Sequence, residues 1–566
     1  MRIISLTAIL TLAACGLFKN EDPEPEAWAP DLHCPGDPSG ICDDADGPLK
    51  AGAGQTSITP TCFESWTDAN GNGEYKRSEG DDFLDCGCDQ LCPEDEGYPG
   101  ADDGEGDEEF QAVWLAGFQN GRPAADVHDD LWARAVVFEQ GETRIGIVAV
   151  DLVGWFHDDV ERTRIMLEEQ SIELDYLVVA STHQHEGPDT VGLWGQRTGK
   201  TGYDVDYAAL VREGCVQALK QAIDNLTEVS TMKAGYSDAR DYSEKGTRNL
   251  IRDSRDPQVV DERINVAWFG DSAGETILTL VNWGNHPEVL SDENTSITSD
   301  YSHYLRNGLE DGVQWDDSTV DGLGGTAIYL NGTVGGLMTP LGVTVTDGNG
   351  VEHSGASWEK AEALGYVVAE MGLDAVAAAE VIESPALAFK MMDVALPVDN
   401  IGFQGMFLSG VLDRNLYDFD ETAILTEENV PKVYTEVSHI SIGSLELLNI
   451  PGELFPEIAF GGYDGSKIGN DIESLIREDN PNPPELENAP EGPYWAELME
   501  TEHAWIVGLA NDEIGYIVPS YDFKVHPTVP FLDEAEGDHY EETNSLGPAT
   551  EPILDETVRT LLGWTR

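Results

Sequence analysis

The stretch Asp175-Tyr176-Leu177-Val178-Val179-Ala180-Ser181-Thr182-His183-Gln184-His185-Glu186-Gly187-Pro188 decides how the rest of the chain is read. Its first half is an uninterrupted apolar run that reads as a buried strand, and its second half delivers two imidazoles where that strand ends. Residues two apart on extended chain face the same side, so His183 and His185 address one site before Gly187-Pro188 turns the chain away. An exposed turn carrying two solvated histidines is the competing reading, and the remainder of the sequence decides between them.

Around this stretch the pattern alternates. Residues 144–151 read as a strand, 158–170 as a helix and 175–182 as the next strand; helical periodicity returns over 205–225. Strands follow at 276–283, 326–330, 440–450 and 505–510, with helices near 300–309 and over 357–379. The alternation predicts an α/β protein of mixed β-sheet layers flanked by helices, with its chemistry at strand ends. Those ends carry His183 and His185, Asn285-His286, the Gly335 to Pro340 turn, Pro451-Gly452-Glu453, and Asn511 to Tyr516. Two histidines, a carboxylate and one further oxygen around an open position suit catalytic zinc.

The N-terminus reads as a leader. Met1-Arg2 precede an apolar stretch too short to span a bilayer, which ends in Leu12-Ala13-Ala14-Cys15. That ending resembles a bacterial lipobox, which implies cleavage of residues 1–14 and lipidation of Cys15. Residues 15–48 are acidic and proline-rich and read as a tether to a membrane face, with the outer membrane or cell surface preferred because Gly16 stands where an inner-membrane retention signal would carry aspartate. A formal charge of −76 excludes nucleic acid as a partner, because phosphate would be repelled. It is compatible with a solvated acidic surface, a salt-rich habitat or bound divalent cations.

Cys34, Cys42, Cys62, Cys86, Cys88 and Cys92 crowd the first sixth of the chain. In an exported protein they are expected to form disulfides, zinc binding being the alternative, while Cys215 reads as a lone buried thiol within a helix. Residues 61–110 form an acidic insertion. Within it, Asp68, Asn70, Asn72 and Glu79 occupy positions one, three, five and twelve of a loop with Gly73 at six and Glu74 at seven, which resembles an EF-hand calcium loop. A hard cation takes six to eight oxygens, and the glycine wraps the chain around it. Gly80 and the following cysteines argue against a long exit helix, so a structural calcium ion is expected.

The order of motifs looks like the neutral, or alkaline non-lysosomal, ceramidase family over about residues 49–550. The resemblance rests on Ala51-Gly52-Ala53-Gly54 with Ile58-Thr59-Pro60, residues 182–188, residues 283–286, Pro451-Gly452-Glu453, Gly508-Leu509-Ala510-Asn511, and Tyr540-Glu541 before Ser545 and Gly547-Pro548. It implies a zinc ion held by His183, His286, Glu453 and Tyr516, with His185, Arg252 and Tyr540 as proton-handling or oxyanion-donating groups. It also implies hydrolysis of an N-acyl amide, with a ceramide-like lipid as candidate substrate.

Three departures stand out. Glu186 replaces a small hydroxyl residue and places a carboxylate near the metal. Thr339 stands where the family carries a serine, and maps to it only through Gly336-Leu337-Met338-Thr339-Pro340. Only residues 551–566, read as a short helix, follow the last motif, so the family's C-terminal immunoglobulin-like domain is expected to be missing. The alternative to an amidohydrolase is a catalytically altered surface binding lipoprotein on the same scaffold; a hydrolase of another ester or amide class is a third reading.

Overall fold

A computed structural model of the protein describes residues 32–33, 45–242, 246–426, 428–467 and 474–563. Cys15, Cys34, Cys42 and the leader lie outside the described residues. Three five-stranded sheets organise what is described. The first contains, in spatial order, Tyr176–Ser181, Thr143–Val150, Trp132–Gln140, Lys50–Ser57 and Thr227–Glu228. The second contains Thr326–Asn331, Thr276–Trp283, Arg263–Gly270, Thr231–Asp238 and Glu380–Val381. The third contains His503–Val507, Leu445–Asn449, Lys432–Ile442, Leu387–Pro397 and Leu32–His33.

The three sheets share one plan: a parallel pair at one edge, then antiparallel neighbours. Parallel strands need a crossover, usually helical. Helix His157–Glu169 supplies it in the first sheet, Tyr301–Asp311 in the second, and the short helices Pro456–Phe460 and Trp495–Leu498 lie on it in the third. The inner faces of all three sheets meet in a common apolar core that includes Val136, Ile147 and Val178 of the first, Phe269, Leu280 and Ile328 of the second, and Phe389, Ile440 and Leu447 of the third. Their outer faces are covered by helices, notably Val205–Asp224 on the first and Trp358–Ala378 on the second.

The glycines of strand Lys50–Ser57 explain one close packing. A Cβ at Gly52 would lie 2.1 Å from the Ala222 carbonyl oxygen and one at Gly54 2.3 Å from that of Ala218, so only glycine lets helix Val205–Asp224 lie this close on the strand. Asp204 starts that helix by accepting from the amides of Asp206 and Tyr207. Cys215 is buried on it as a free thiol, pushed up to about 12 by burial, which suits a packing residue and not a nucleophile.

Two predicted elements are corrected. Residues 440–450 are not one strand: Gly443, at φ +64°, reverses the chain and pairs Ile442 with Leu445, making a hairpin of Lys432–Ile442 and Leu445–Asn449. The strand predicted over 505–510 ends at Val507, because the Gly508 amide turns to the Asn331 carbonyl and Leu509 and Asn511 take left-handed conformations. In the insertion, Cys62–Cys88 and Cys86–Cys92 are disulfides. The Asp68 carboxylate accepts from the amides of Asn70, Gly71 and Gly73, and Glu79 accepts from the Asn70 side-chain amide at 2.7 Å. Lys76 lies against Glu74 and 3.7 Å from Glu79.

The fold is tied together behind the strand ends by a buried polar cluster. Glu436 accepts from both terminal nitrogens of Arg164, from the Tyr176 hydroxyl at 2.6 Å and from Asn511. Burial disfavours its charge, but Arg164 outweighs burial and holds the carboxylate down to about 2. A depressed carboxylate adds stability above its unfolded value and loses it as pH falls toward the folded one, so this group contributes about 3 kcal/mol that disappears between pH 4.5 and about 2. Acid unfolding of Glu436→Gln is expected to show a flatter pH dependence across that window; an unchanged slope would remove Glu436 from the acid transition.

Candidate metal centre

The C-terminal ends of the parallel strands converge, one pair from each sheet. His183 follows Tyr176–Ser181, His286 follows Thr276–Trp283, and Glu453 follows Leu445–Asn449. Asn331, at the end of its own strand, holds the two histidine-bearing turns in register: its side-chain amide donates to the Thr182 carbonyl at 2.8 Å and the Asn285 carbonyl at 3.0 Å, while its oxygen accepts from the Asn285 amide. Asn511 does the same for the first strand, accepting from the Val179 amide at 2.7 Å and donating its own amide to the Val179 carbonyl. His183 adopts φ +65°, a conformation costing a non-glycine residue about 1–3 kcal/mol, which the surrounding bonds impose.

Both His183 Nε2 and His286 Nε2 stand 3.3 Å from the same oxygen of Glu453. Glu453 lies in register with Tyr516 across a short parallel pairing, Glu453–Leu454 with Tyr516–Ile517. His183, His185 and His286 each offer a ring nitrogen within 4.8 Å of the others. The Nδ1 atoms of His183 and His286 face the carbonyls of Val153 and Met338, the latter at 2.8 Å. A carbonyl only accepts, so each Nδ1 carries hydrogen, and a neutral ring then turns the Nε2 lone pair inward. His286 Nε2 and the facing Glu453 oxygen are buried with no hydrogen-bond partner. Orphaned polar atoms of this kind fit a cation, and a set of two imidazoles, a carboxylate and a phenol fits a borderline divalent ion such as zinc.

Charge in the centre is strongly coupled. Burial works against a charged His183, and Glu453 beside it prevails and lifts the imidazole to about 9. Burial also opposes ionisation of Glu453, yet the two histidines hold it below the usual carboxylate range. His185 behaves differently: burial dominates its contact with Glu288, 3.3 Å away, and keeps the ring neutral with a pKa of about 4. Burial, with Glu453 adjacent, holds the Tyr516 phenol well above its ordinary value.

A partly open cavity leads from this centre. His183, His185, Glu453, Tyr516 and Tyr540 line its polar end, and Val153, Phe156, Leu193, Trp194, Phe403 and Phe407 line its apolar walls. Tyr540 is 40 % exposed, with its ring centroid 6.1 Å from that of Tyr516.

Other predicted residues are placed elsewhere. Arg252 is exposed; its Nε donates to the Leu341 carbonyl at 2.6 Å, and it does not line the cavity. The buried arginine of this segment is Arg255, which grips Glu541 and Glu542 just after Tyr540 and stacks over Phe455 just after Glu453. Thr339 is buried and donates to Glu288, so it reaches His185 only through that carboxylate. Glu186 does not face the metal centre: Arg122 at 2.9 Å and Asn294 at 2.8 Å take up its carboxylate.

Three further residues beside the centre or in its cavity escaped sequence reasoning. Glu288 stands two residues past His286, with a carboxylate oxygen 3.3 Å from His185 Nδ1. Glu513 lines the cavity with one oxygen held by the Gly515 amide at 2.7 Å and the other unpaired. Arg414 lines it too, with a 2.8 Å bond to Asp512. Glu288 and Glu513 had only their position beside a motif as a sequence signal, and Arg414 had none.

The class defined by this fold and site is a mixed α/β protein with a histidine-carboxylate centre capable of holding a metal ion at strand ends. No model of a known protein family matches the sequence, and no curated protein does. Among solved structures the chain has the fold of neutral ceramidase. It matches the crystal structure of neutral ceramidase from Pseudomonas aeruginosa with a TM-score of 0.57 and 14 % identity, over 92 % of this chain and 74 % of that one. It matches a ceramidase complexed with C2 with a TM-score of 0.55 and 14 % identity, over 91 % and 75 %.

Proposed function

We propose that the protein is a zinc-dependent amidohydrolase that cleaves an N-acyl amide of a lipid, with His183, His286, Glu453 and Tyr516 as the metal ligands. The observation that carries this reading is the cavity itself, which joins a cluster of orphaned ligand atoms to a wall of aromatic and aliphatic side chains. Bound zinc supplies polarisation of the acyl carbonyl and water acidic enough to attack near neutral pH. His185, neutral and oriented by Glu288, accepts the proton of the attacking water and returns it to the leaving amine. Tyr540 donates to the oxyanion from the cavity mouth, while Thr339 acts one step back, through Glu288. The acyl chain lies along Phe156, Phe403 and Phe407.

In this reading the body is exported and held at the outer membrane or cell surface through a lipid on Cys15. The insertion is steadied by calcium bound through Asp68, Asn70, Asn72, Glu74 and Glu79. Asp68 also organises its loop by accepting three amides, so Asp68→Ala is expected to lower the melting temperature when calcium is present and to remove calcium's stabilising effect. Equal calcium-dependent shifts in wild type and variant would dismiss the calcium site.

The reading is tested with a panel of fluorescent N-acyl amides of increasing acyl length, ceramide included. Turnover is expected to rise with chain length until the apolar wall is filled. Stoichiometric zinc without turnover of any member would favour the alternative, a binding lipoprotein on the same scaffold.

A further inference from the structure

Helix Ile401–Ser409 carries apolar side chains on both faces and no charge; its polar side chains are Gln404, which donates to the Val398 carbonyl at 2.7 Å, and Ser409 at its last position. Phe403 and Phe407 point inward to the cavity wall, while Ile401 is 47 % and Leu408 55 % exposed on the outside. Gly405 lies between them, and a Cβ added there would meet no atom within 4 Å. A surface helix ordinarily turns charged residues to water, and one apolar all round belongs in a core or in lipid. Residues 401–412 contain no Asp, Glu, Lys or Arg in a chain with 107 Asp and Glu among 566 residues. A second apolar tip adjoins the helix: Leu532, 61 % exposed, comes within 3.5 Å of the Cβ position of Gly402, and Val529, 39 % exposed, accepts the Leu532 amide in the same turn. The patch therefore joins this tip to the outer side of the helix that walls the cavity.

The path of the chain points the same way. Ala45 bonds to Leu387 at the start of strand Leu387–Pro397, and Leu32–His33 pairs with Met392 and Met391 farther along it. Read back toward the N-terminus, the segment thus climbs toward Pro397, the end that carries helix Ile401–Ser409. The residues from Leu32 back to Cys15 could span about 55 Å at most, enough to pass the last five residues of the strand and reach beyond the helix.

We infer that this face, helix Ile401–Ser409 with the Val529 to Leu532 tip, docks onto a lipid surface of zwitterionic or uncharged headgroups and receives the acyl substrate from it. An anionic surface is disfavoured by the net charge of −76 and by Asp533 and Glu534 beside the tip. The inference rests on the lipid amidohydrolase reading for what enters the cavity, but docking has its own readout.

The full chain carrying Gly405→Cys, labelled with an environment-sensitive fluorophore, is mixed with phosphatidylcholine vesicles containing nitroxide lipid. The unsubstituted chain serves as labelling blank, and Ile424→Cys, 85 % exposed in an acidic loop, as the comparison position. The label at 405 is expected to shift to the blue and be quenched while that at 424 stays in water. A 405 label that stays in water overturns the inference, as does one shielded without lipid in a concentration-dependent dimer, which would assign the face to a second copy. In the second arm, Ile401→Gln/Leu408→Gln/Leu532→Gln is expected to lose roughly tenfold or more in turnover of a vesicle-embedded amide and to keep turnover of a short, water-soluble one. Equal loss on both substrates would overturn delivery from lipid. If the wild type cleaves neither, the hydrolase reading fails while the 405 label still decides docking.

Discussion

His286→Ala is expected to leave a folded protein that no longer holds zinc and no longer turns over amide. The ring sits at a strand end, with Nδ1 on the Met338 carbonyl and Nε2 3.3 Å from Glu453. In the proposed reading its removal takes away one ligand, and it leaves a buried carboxylate facing His183. A metal ion contributes several kcal/mol to carbonyl polarisation, so losing it costs about 10³-fold or more in kcat/KM. The backbone of this turn is held by Asn331, not by the imidazole, so circular dichroism and the melting transition are expected to stay close to wild type. Full activity in this variant, or in His183→Ala, would refute the ligand assignment.

Gly117→Ala is expected to damage catalysis while sparing the metal. Gly117 adopts φ +106°, and a Cβ there would lie 2.4 Å from the imidazole of His185. Neither can give way easily: His185 is buried among Phe118, Glu288 and the two other histidines. A displacement near 1 Å of a group that moves protons costs about 10²-fold in kcat. Zinc content is expected to persist, because the atoms nearest a Cβ at Gly117 all belong to His185. If kcat and its pH profile were unchanged, His185 would have no part in proton transfer.

How much of this was legible depends on how local the cause is. Residues 176–180 announce a strand because the run is apolar throughout and buried throughout, and a strand has little freedom in where it sends the residues that leave its end. Helices Val205–Asp224 and Trp358–Ala378 were equally plain in their periodicity. Strand Lys50–Ser57 was not read as one: Lys-Ala-Gly-Ala-Gly has poor strand propensity, and its glycines serve a helix almost 170 residues away. The 440–450 error had the opposite origin, since apolar residues on both sides of Gly443-Ser444 concealed a two-residue turn.

The candidate site divides along the same line. His183 and His185 were visible from spacing; His286, Glu453 and Tyr516 fell at or near strand ends in the alternating pattern, and family resemblance singled them out as ligands. Glu288, Arg255 and Glu513 have no sequence pattern of their own. They matter because a threonine 51 residues away, a helix 286 residues away and a glycine at 154 happen to face them. Arg252 was named from the order of motifs alone; it is exposed and bonded to the Leu341 carbonyl, and it does not line the cavity.

The central claim is that these residues hold a zinc ion that hydrolysis requires. Metal analysis of the purified protein, paired with amide turnover before and after a chelator, tests it most directly. One zinc per chain, with activity that the chelator removes and added zinc restores, is the result expected. A protein free of zinc that hydrolyses amides undiminished would contradict the account at its root.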